Sequence, residues 1–297
     1  MYELKQVGTN SYYIESPAKI GIVRLSKTEV CLIDSGSDKD AGRKVRQVLD
    51  ANGWHLCAIY NTHSNADHIG GNKFLQSRTG CKIYAPGIDC DFTNHPLLEP
   101  SFLYGGFPPI DLRHKFLMAQ ESSAEPLTEG VLPEGMSMIP LPGHFFDMTG
   151  FRDADGVVYL ADCLSSRETL GKYQIGFIYD VAAYLDTLEM VKTLRAPVFV
   201  PAHAEATDQI APLAQYNIDK VHETADRILS ICETPQIFEA VLQRLFRDYG
   251  LTMNFEQYVL VGSTVRSYLS WLKDTGRMEA IFQDGQLLWK TAQTGLS

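Results

Sequence analysis

The chain has 297 residues, with 26 Lys+Arg against 36 Asp+Glu and a formal net charge of -10; hydrophobic residues make up 45% and charged residues 21%. That composition excludes a disordered, collagenous or disulfide-dense chain. The acidic balance argues against a general polyanion binder, which needs a basic face to displace phosphate counterions.

The first 60 residues alternate in the manner of strands, at Ser11–Glu15, Ile20–Leu25 and Val30–Asp34, with turn residues between them. Ala41–Asn52 carries Val45, Val48 and Leu49 at helical spacing and is closed by Gly53. Leu56–Tyr60 is a short apolar strand that runs into the polar loop Asn61–His68. Gly70-Gly71 opens a helix ending near Gly80, and Cys81–Ala85 is the next strand. From about residue 87 to 135 regularity fades. The stretch is too long for a plain connector and too aromatic for a disordered linker, so it reads as an insertion packed on the main body. Strands return at Met136–Pro140, Val157–Asp162 and Pro197–His203, with a helix at Tyr184–Leu194. Beyond residue 212 the pattern becomes helical (Tyr216–Cys232, Ile237–Asp248, Val259–Lys273) and ends in a hairpin over 276–289 that turns at Asp284-Gly285. The expected organisation is an α/β or α+β domain over 1–212 and a mainly helical segment over 213–297.

No apolar run reaches the roughly 18 residues of a spanning helix. Met1–Lys5 has no basic stretch leading into an apolar one, so no signal peptide is expected. The six cysteines form no CxxC pair and read as reduced, mostly buried thiols of a cytoplasmic protein. Cys163 is a small buried residue before it is a nucleophile.

Polar residues of metal-binding type stand where strands end: His63, Asp67 and His68 after the strand at 56–60, then His144, Asp162 and His203. Open α/β sheets place ligand sites at such ends, and imidazole with carboxylate is the donor set of zinc or a similar transition metal. The run Thr62-His63-Ser64-Asn65-Ala66-Asp67-His68-Ile69-Gly70-Gly71 resembles the HxHxDH signature of the metallo-β-lactamase superfamily. The resemblance continues, in order, through Asp34-Ser35-Gly36, Pro142-Gly143-His144, Leu160-Ala161-Asp162 and Pro201-Ala202-His203. It implies an α+β, four-layer αββα sandwich with a metal site at one edge. One site would use His63, residue 65 and His144, a second Asp67, His68 and His203, with Asp162 bridging them.

Asn65 departs from that pattern, standing where the family has a histidine. A neutral amide oxygen is the weaker donor for zinc, so the site of His63, residue 65 and His144 is expected to be weak or substituted, and Mn or Fe would tolerate it better. One or two Zn2+ ions are therefore expected, with Fe or Mn as alternatives. The chemistry implied is hydrolysis of a small ester, thioester, amide or phosphodiester by a water whose pKa the metal brings to about 7. Asp67 is the candidate catalytic residue, ligating metal and orienting the nucleophile. Asp34 is either a hydrogen-bond partner of a ligand imidazole or a plain turn residue. Tyr104 and His114, in the insertion, are candidate substrate contacts; the loop around Tyr104 reads equally as a lid edge or a packed surface loop. His55, His95 and His222 read as structural or exposed.

Two other readings compete with the hydrolase. The superfamily's persulfide dioxygenases need two His and one Asp on iron, which map to His63, His144 and Asp162. A non-catalytic metal-binding protein on the same fold is the third reading. The C-terminal segment resembles the winged-helix-like appendage of some superfamily hydrolases. From residue 215 on it carries eight Lys+Arg against ten Asp+Glu. That balance favours homodimer formation or walling of a small-molecule pocket over binding nucleic acid.

Overall fold

The computed structural model describes residues 2–293. Residue 1 and residues 294–297, the outer ends of the two segments read from the sequence, lie outside the described residues. Strands β1 (Glu3–Gln6), β2 (Ser11–Glu15), β3 (Ile20–Arg24) and β4 (Glu29–Ile33) form an antiparallel meander. Helix α1 (Lys39–Ala51) then crosses to β5 (His55–Tyr60), which lies parallel to β4. The Asp38 side chain caps α1 by accepting from the amides of Asp40 and Ala41, as an N-cap carboxylate does. Helices α2 (Ala66–Ile69) and α3 (Asn72–Thr79) lead to β6 (Lys82–Ala85), again parallel to its neighbour. Helices α4 (Asp89–Asn94) and α5 (Leu98–Tyr104) precede β7 (Glu125–Pro126), which completes a seven-stranded sheet in sequence order.

The second sheet has four strands. They are β8 (Ser137–Pro140), β9 (Thr149–Arg152), β10 (Val158–Ser165) and, after α6 (Arg167–Tyr173) and α7 (Val181–Thr193), β11 (Phe199–His203). Its order is β11-β10-β9-β8, with β10 and β11 parallel. Helices α8 (Ala211–Ile231), α9 (Phe238–Asp248) and α10 (Phe255–Asp274) follow, and the chain ends in the hairpin of β12 (Met278–Gln283) and β13 (Gln286–Thr291).

Period-2 alternation sorts the side chains into layers. On β2, Tyr13 faces the second sheet while Tyr12 and Ile14 face α1 and α3; on β4, Cys31 and Ile33 face the sheet while Val30 and Leu32 face the helices. The inner layer joins them to Phe151, Tyr159 and Val200 of the second sheet. On β10, Tyr159 points inward, whereas Val158 and Leu160 point to α7 and α8. Helix, sheet, sheet and helix are thus stacked as an αββα sandwich. The outer core of the second sheet runs without a break from Leu160 and Leu188 through Ile218 and Val221 to Leu245 and Leu269, across the boundary expected near residue 212. No described helix is long and apolar enough to cross a membrane.

Several elements went unread from the sequence: β1, β9, α6 and the two helices of the insertion. The region 87–135 therefore holds short helices of six and seven residues, too short to show a period. All six cysteines are free thiols, and burial pushes the Cys163 thiol far above its usual value.

Candidate metal centre

The loop after β5 carries most of the polar residues, and its path is set by two glycines. A Cβ on Gly70 would stand 2.3 Å from the Ser37 carbonyl, and one on Gly71 2.3 Å from the Ser35 carbonyl oxygen. Only glycine lets α2 and α3 press this closely on the turn after β4. Backbone bonds from Ser35 N–H to His68 O (2.8 Å) and from Gly71 N–H to Gly36 O (3.2 Å) seal the contact. Within that turn Asp34 adopts φ +64°, a left-handed conformation that Asp tolerates better than most residues.

Asp34 is almost fully buried, and its two oxygens serve three donors. Oδ1 accepts from the Thr62 amide at 2.8 Å, while Oδ2 accepts from the Thr62 hydroxyl and from His68 Nδ1, each at 2.8 Å. A carboxylate only accepts, so the Thr62 hydroxyl spends its proton on Asp34. The same hydroxyl lies 2.9 Å from His63 Nδ1 and must therefore accept from it. His203 Nδ1 donates to the Pro17 carbonyl at 2.9 Å. All three rings consequently carry their hydrogen on Nδ1 and turn the Nε2 lone pair the other way.

Those lone pairs converge. One ligand atom from each of Asp67, His68, Asp162 and His203 falls within 4.8 Å of the others, and so does one from each of His63, His144 and Asp162. His203 Nε2 is 3.2 Å from both Asp67 Oδ2 and Asp162 Oδ2, and His68 Nε2 is 3.0 Å from Asp162 Oδ1. Asp162 belongs to both groups because of its backbone. Its neighbour Ala161 has φ +50°, and the pairing of β10 with β11 slips on either side of Ala161. Strain of this sort is typical of functional positions and redirects a strand's side chains.

His63 Nε2 is buried with no hydrogen-bond partner, and His68 Nε2 and Asp162 Oδ1, though 3.0 Å apart, do not meet in hydrogen-bond geometry. A buried nitrogen without a partner beside a close but unsatisfied nitrogen–oxygen contact is costly in a folded chain, and this donor set is the one a divalent transition metal satisfies. Burial holds the His63 and His144 rings below their ordinary pKa, in the neutral form that donates a lone pair. For His68 and His203 burial acts in the same direction but is outweighed by the carboxylates of Asp162 and Asp67, joined at His68 by Asp34; His203 rises to about 10. Burial likewise raises Asp67 and Asp162, yet the facing imidazoles bring both below the usual carboxylate range. A cation replaces such protons when it binds.

The family described as the metallo-beta-lactamase superfamily matches residues 5–203. The chain belongs to that superfamily. Relatives of known name include two hydroxyacylglutathione hydrolases. The one from Methylococcus capsulatus is 43% identical over 53 residues, covering 15% of this chain and 21% of the relative. The one from Bradyrhizobium is 49% identical over 128 residues, covering 43% and 41%. The chain thus spans well under half the length of these curated relatives. Among solved structures, a beta-lactamase domain protein from Burkholderia ambifaria superposes with a TM-score of 0.74 at 15% identity, covering 98% of this chain and 94% of that one. The likeness of fold therefore extends over the C-terminal helices.

Within this superfamily member, Asn65 lies beside the His63 group, with Oδ1 3.1 Å from His144 Nε2. Its Nδ2 donates at 2.8 Å to Glu99, a nearly buried residue at the start of α5. Glu99 was not read from the sequence. The only local signal is an acid among apolar neighbours, Leu97-Leu98-Glu99-Pro100. Asp89, at the start of α4, is also part of the surroundings: it accepts from the Ser64 amide and hydroxyl and from the Asp147 amide. Tyr104 and His114 are placed elsewhere. Tyr104 lines a groove with Arg266 and Trp271, against α10, and the His114 ring packs on Phe116. Neither lines the small cavity, about 40 Å³, that opens beside His144 and Asp162. Phe177, Tyr184, Lys220 and Tyr268 wall that cavity, so α8 and α10 contribute to it.

Proposed function

We propose that the protein is a metal-dependent hydrolase of a small acyl thioester. One observation carries the metal-centre reading: the buried, unpartnered His63 Nε2 and the unsatisfied His68–Asp162 contact fall where six His and Asp side chains bring their ligand atoms together in two groups. Asp67, His68, Asp162 and His203 would hold one ion, and His63, His144 and Asp162, with Asn65, a second. A bound divalent ion supplies Lewis acidity, which brings the pKa of water to about 7 and polarises a carbonyl. Asp67, with its side chain 43% exposed, is the carboxylate best placed to accept a hydrogen bond from attacking water and fix its orientation. Asp34 and the Pro17 carbonyl hold the rings in the required tautomer. The cavity wall of Phe177 and Tyr184 excludes bulk water from one side and limits substrate size. The names of the curated relatives favour a thioester, and specifically a hydroxyacylglutathione, over a phosphodiester.

The test is elemental analysis of protein purified without added metal, followed by hydrolysis assays on hydroxyacylglutathione, a simple oxygen ester and a phosphodiester. Zinc content of one to two per chain and preferential thioester cleavage are expected. Absence of bound metal, with none taken up on titration, overturns the reading. The His63, His144 and Asp162 group also has the two-His, one-carboxylate composition of iron oxygenase sites. One iron per chain with thiol-dependent oxygen uptake would move the assignment to that chemistry.

A further inference from the structure

The family pattern puts an imidazole at residue 65; this chain has an amide, and an insertion residue bonded to it. We propose that Glu99 is a positioning residue that locks the Asn65 amide with Oδ1 toward the His63, His144 and Asp162 group, making it a mixed nitrogen and oxygen site for a second divalent ion. The inference rests on the metal-centre reading above.

The argument is one of donor chemistry. An amide has two faces, and only the oxygen has lone pairs for a cation. A free amide can rotate by half a turn and present Nδ2 instead, which repels a cation. Burial holds the Glu99 carboxyl well above the usual carboxylate range, and its Oε1, like the oxygen of a neutral acid or an amide, accepts from Nδ2 at 2.8 Å, which sends Oδ1 the opposite way, to within 3.1 Å of His144 Nε2. Glu99 is itself 6% exposed, a position in which an acid is seldom left without purpose. The hydrogen bond to Nδ2 also draws the amide dipole toward the site, as partners behind a ligand commonly do. A donor set of two imidazoles, a carboxylate and an amide oxygen is harder than the three-imidazole set, and favours Mn2+ or Fe2+ relative to zinc. Residue 65 and the insertion are then one device: the amide alone would be a poor ligand, and the buried acid alone would have no partner.

The experiment titrates chelator-stripped protein with Zn2+ and with Mn2+ by calorimetry, with elemental analysis after dialysis. The wild type is expected to show a tighter and a weaker site, the weaker one less selective for zinc. Glu99→Leu should weaken only the second site, by about 10–100-fold, the range for partners behind a ligand. The unchanged first site then serves as the check that the fold survives. Glu99→Gln, whose amide oxygen can still accept from Nδ2, should keep the second site close to wild type. The deciding variant is Asn65→Asp in the Glu99→Leu background. A carboxylate presents oxygen in either orientation, so the second site should return. Wild-type binding of both ions by Glu99→Leu overturns the inference, and so does failure of Asn65→Asp to restore the second ion. A wild type that binds a single ion, with Glu99→Leu doing the same, overturns the inference and leaves the metal-centre reading intact. A wild type that takes up no metal overturns both.

Discussion

The two halves of the candidate centre are supported from different places. His68 and His203 are held by Asp34, just after β4, and by the Pro17 carbonyl, in the turn between β2 and β3, both in the first-sheet meander. His63 shares that support through Thr62. Asn65 depends instead on Glu99, which arrives from the insertion 34 residues later in the chain. The first half is therefore as rigid as the sheet that carries it, whereas the second can be tuned by changing a surface helix. In the proposed two-ion centre such a division would let one ion stay tightly bound while the affinity and selectivity of its neighbour vary.

Asp162→Ala is expected to have the largest effect, because this carboxylate belongs to both groups. Elemental analysis should find both ions lost, and thioester cleavage should fall beyond the roughly 100-fold limit for residues that only support ligands. One retained ion would show that the halves do not share a bridge. Asp34→Ala comes next. It strips an acceptor from His68 and Thr62 together, so metal affinity should drop about 10–100-fold. Chemical denaturation should also register a loss of about 2–3 kcal/mol from donors left buried without a partner. His144→Ala sharpens the comparison most directly. One ion should remain per chain, held by Asp67, His68, Asp162 and His203; loss of both would merge the halves into a single cooperative site.

The smallest effect is expected at Asp89. Burial pushes its carboxyl up to about 6 in the folded chain, above an ordinary value of 3.8. The folded state therefore holds a proton that the unfolded state releases. The stability this contributes is complete below the ordinary carboxylate range and is lost as pH rises through about 6. Metal-free wild type should accordingly lose stability, relative to Asp89→Asn, between pH 4 and 6, by up to about 2–3 kcal/mol. Parallel urea midpoints for the two proteins across that range would remove Asp89 from the picture.

What the sequence disclosed followed physical range. The alternation of Tyr12, Tyr13 and Ile14 shows two faces of a strand within three residues, and the structure sorts them into two cores. The hairpin was marked by Asp284-Gly285, and Gly285 sits at φ +76°. The ligand-type residues were visible because each is tied to a short motif at a strand end. Strands β1 and β9 escaped notice, one being polar and at a sheet edge, the other four residues long with Gly150 inside it. Nothing near Glu99 in the sequence announces Asn65 as its partner. That pairing depends on how the insertion folds back over the loop, which no local period encodes.

The apolar layer that runs from β10 through α7 into α8 and α10 also bears on how this protein can be re-engineered. Because Ile218, Val221 and Val265 interlock with Leu160 and Leu188, the helices after residue 211 cannot be exchanged as a cassette with those of a relative. A chimera joined there would inherit mismatched volumes along the whole seam. Nicking the polypeptide between 204 and 210 should, by the same reasoning, yield two fragments that migrate together on a sizing column until denaturant separates them.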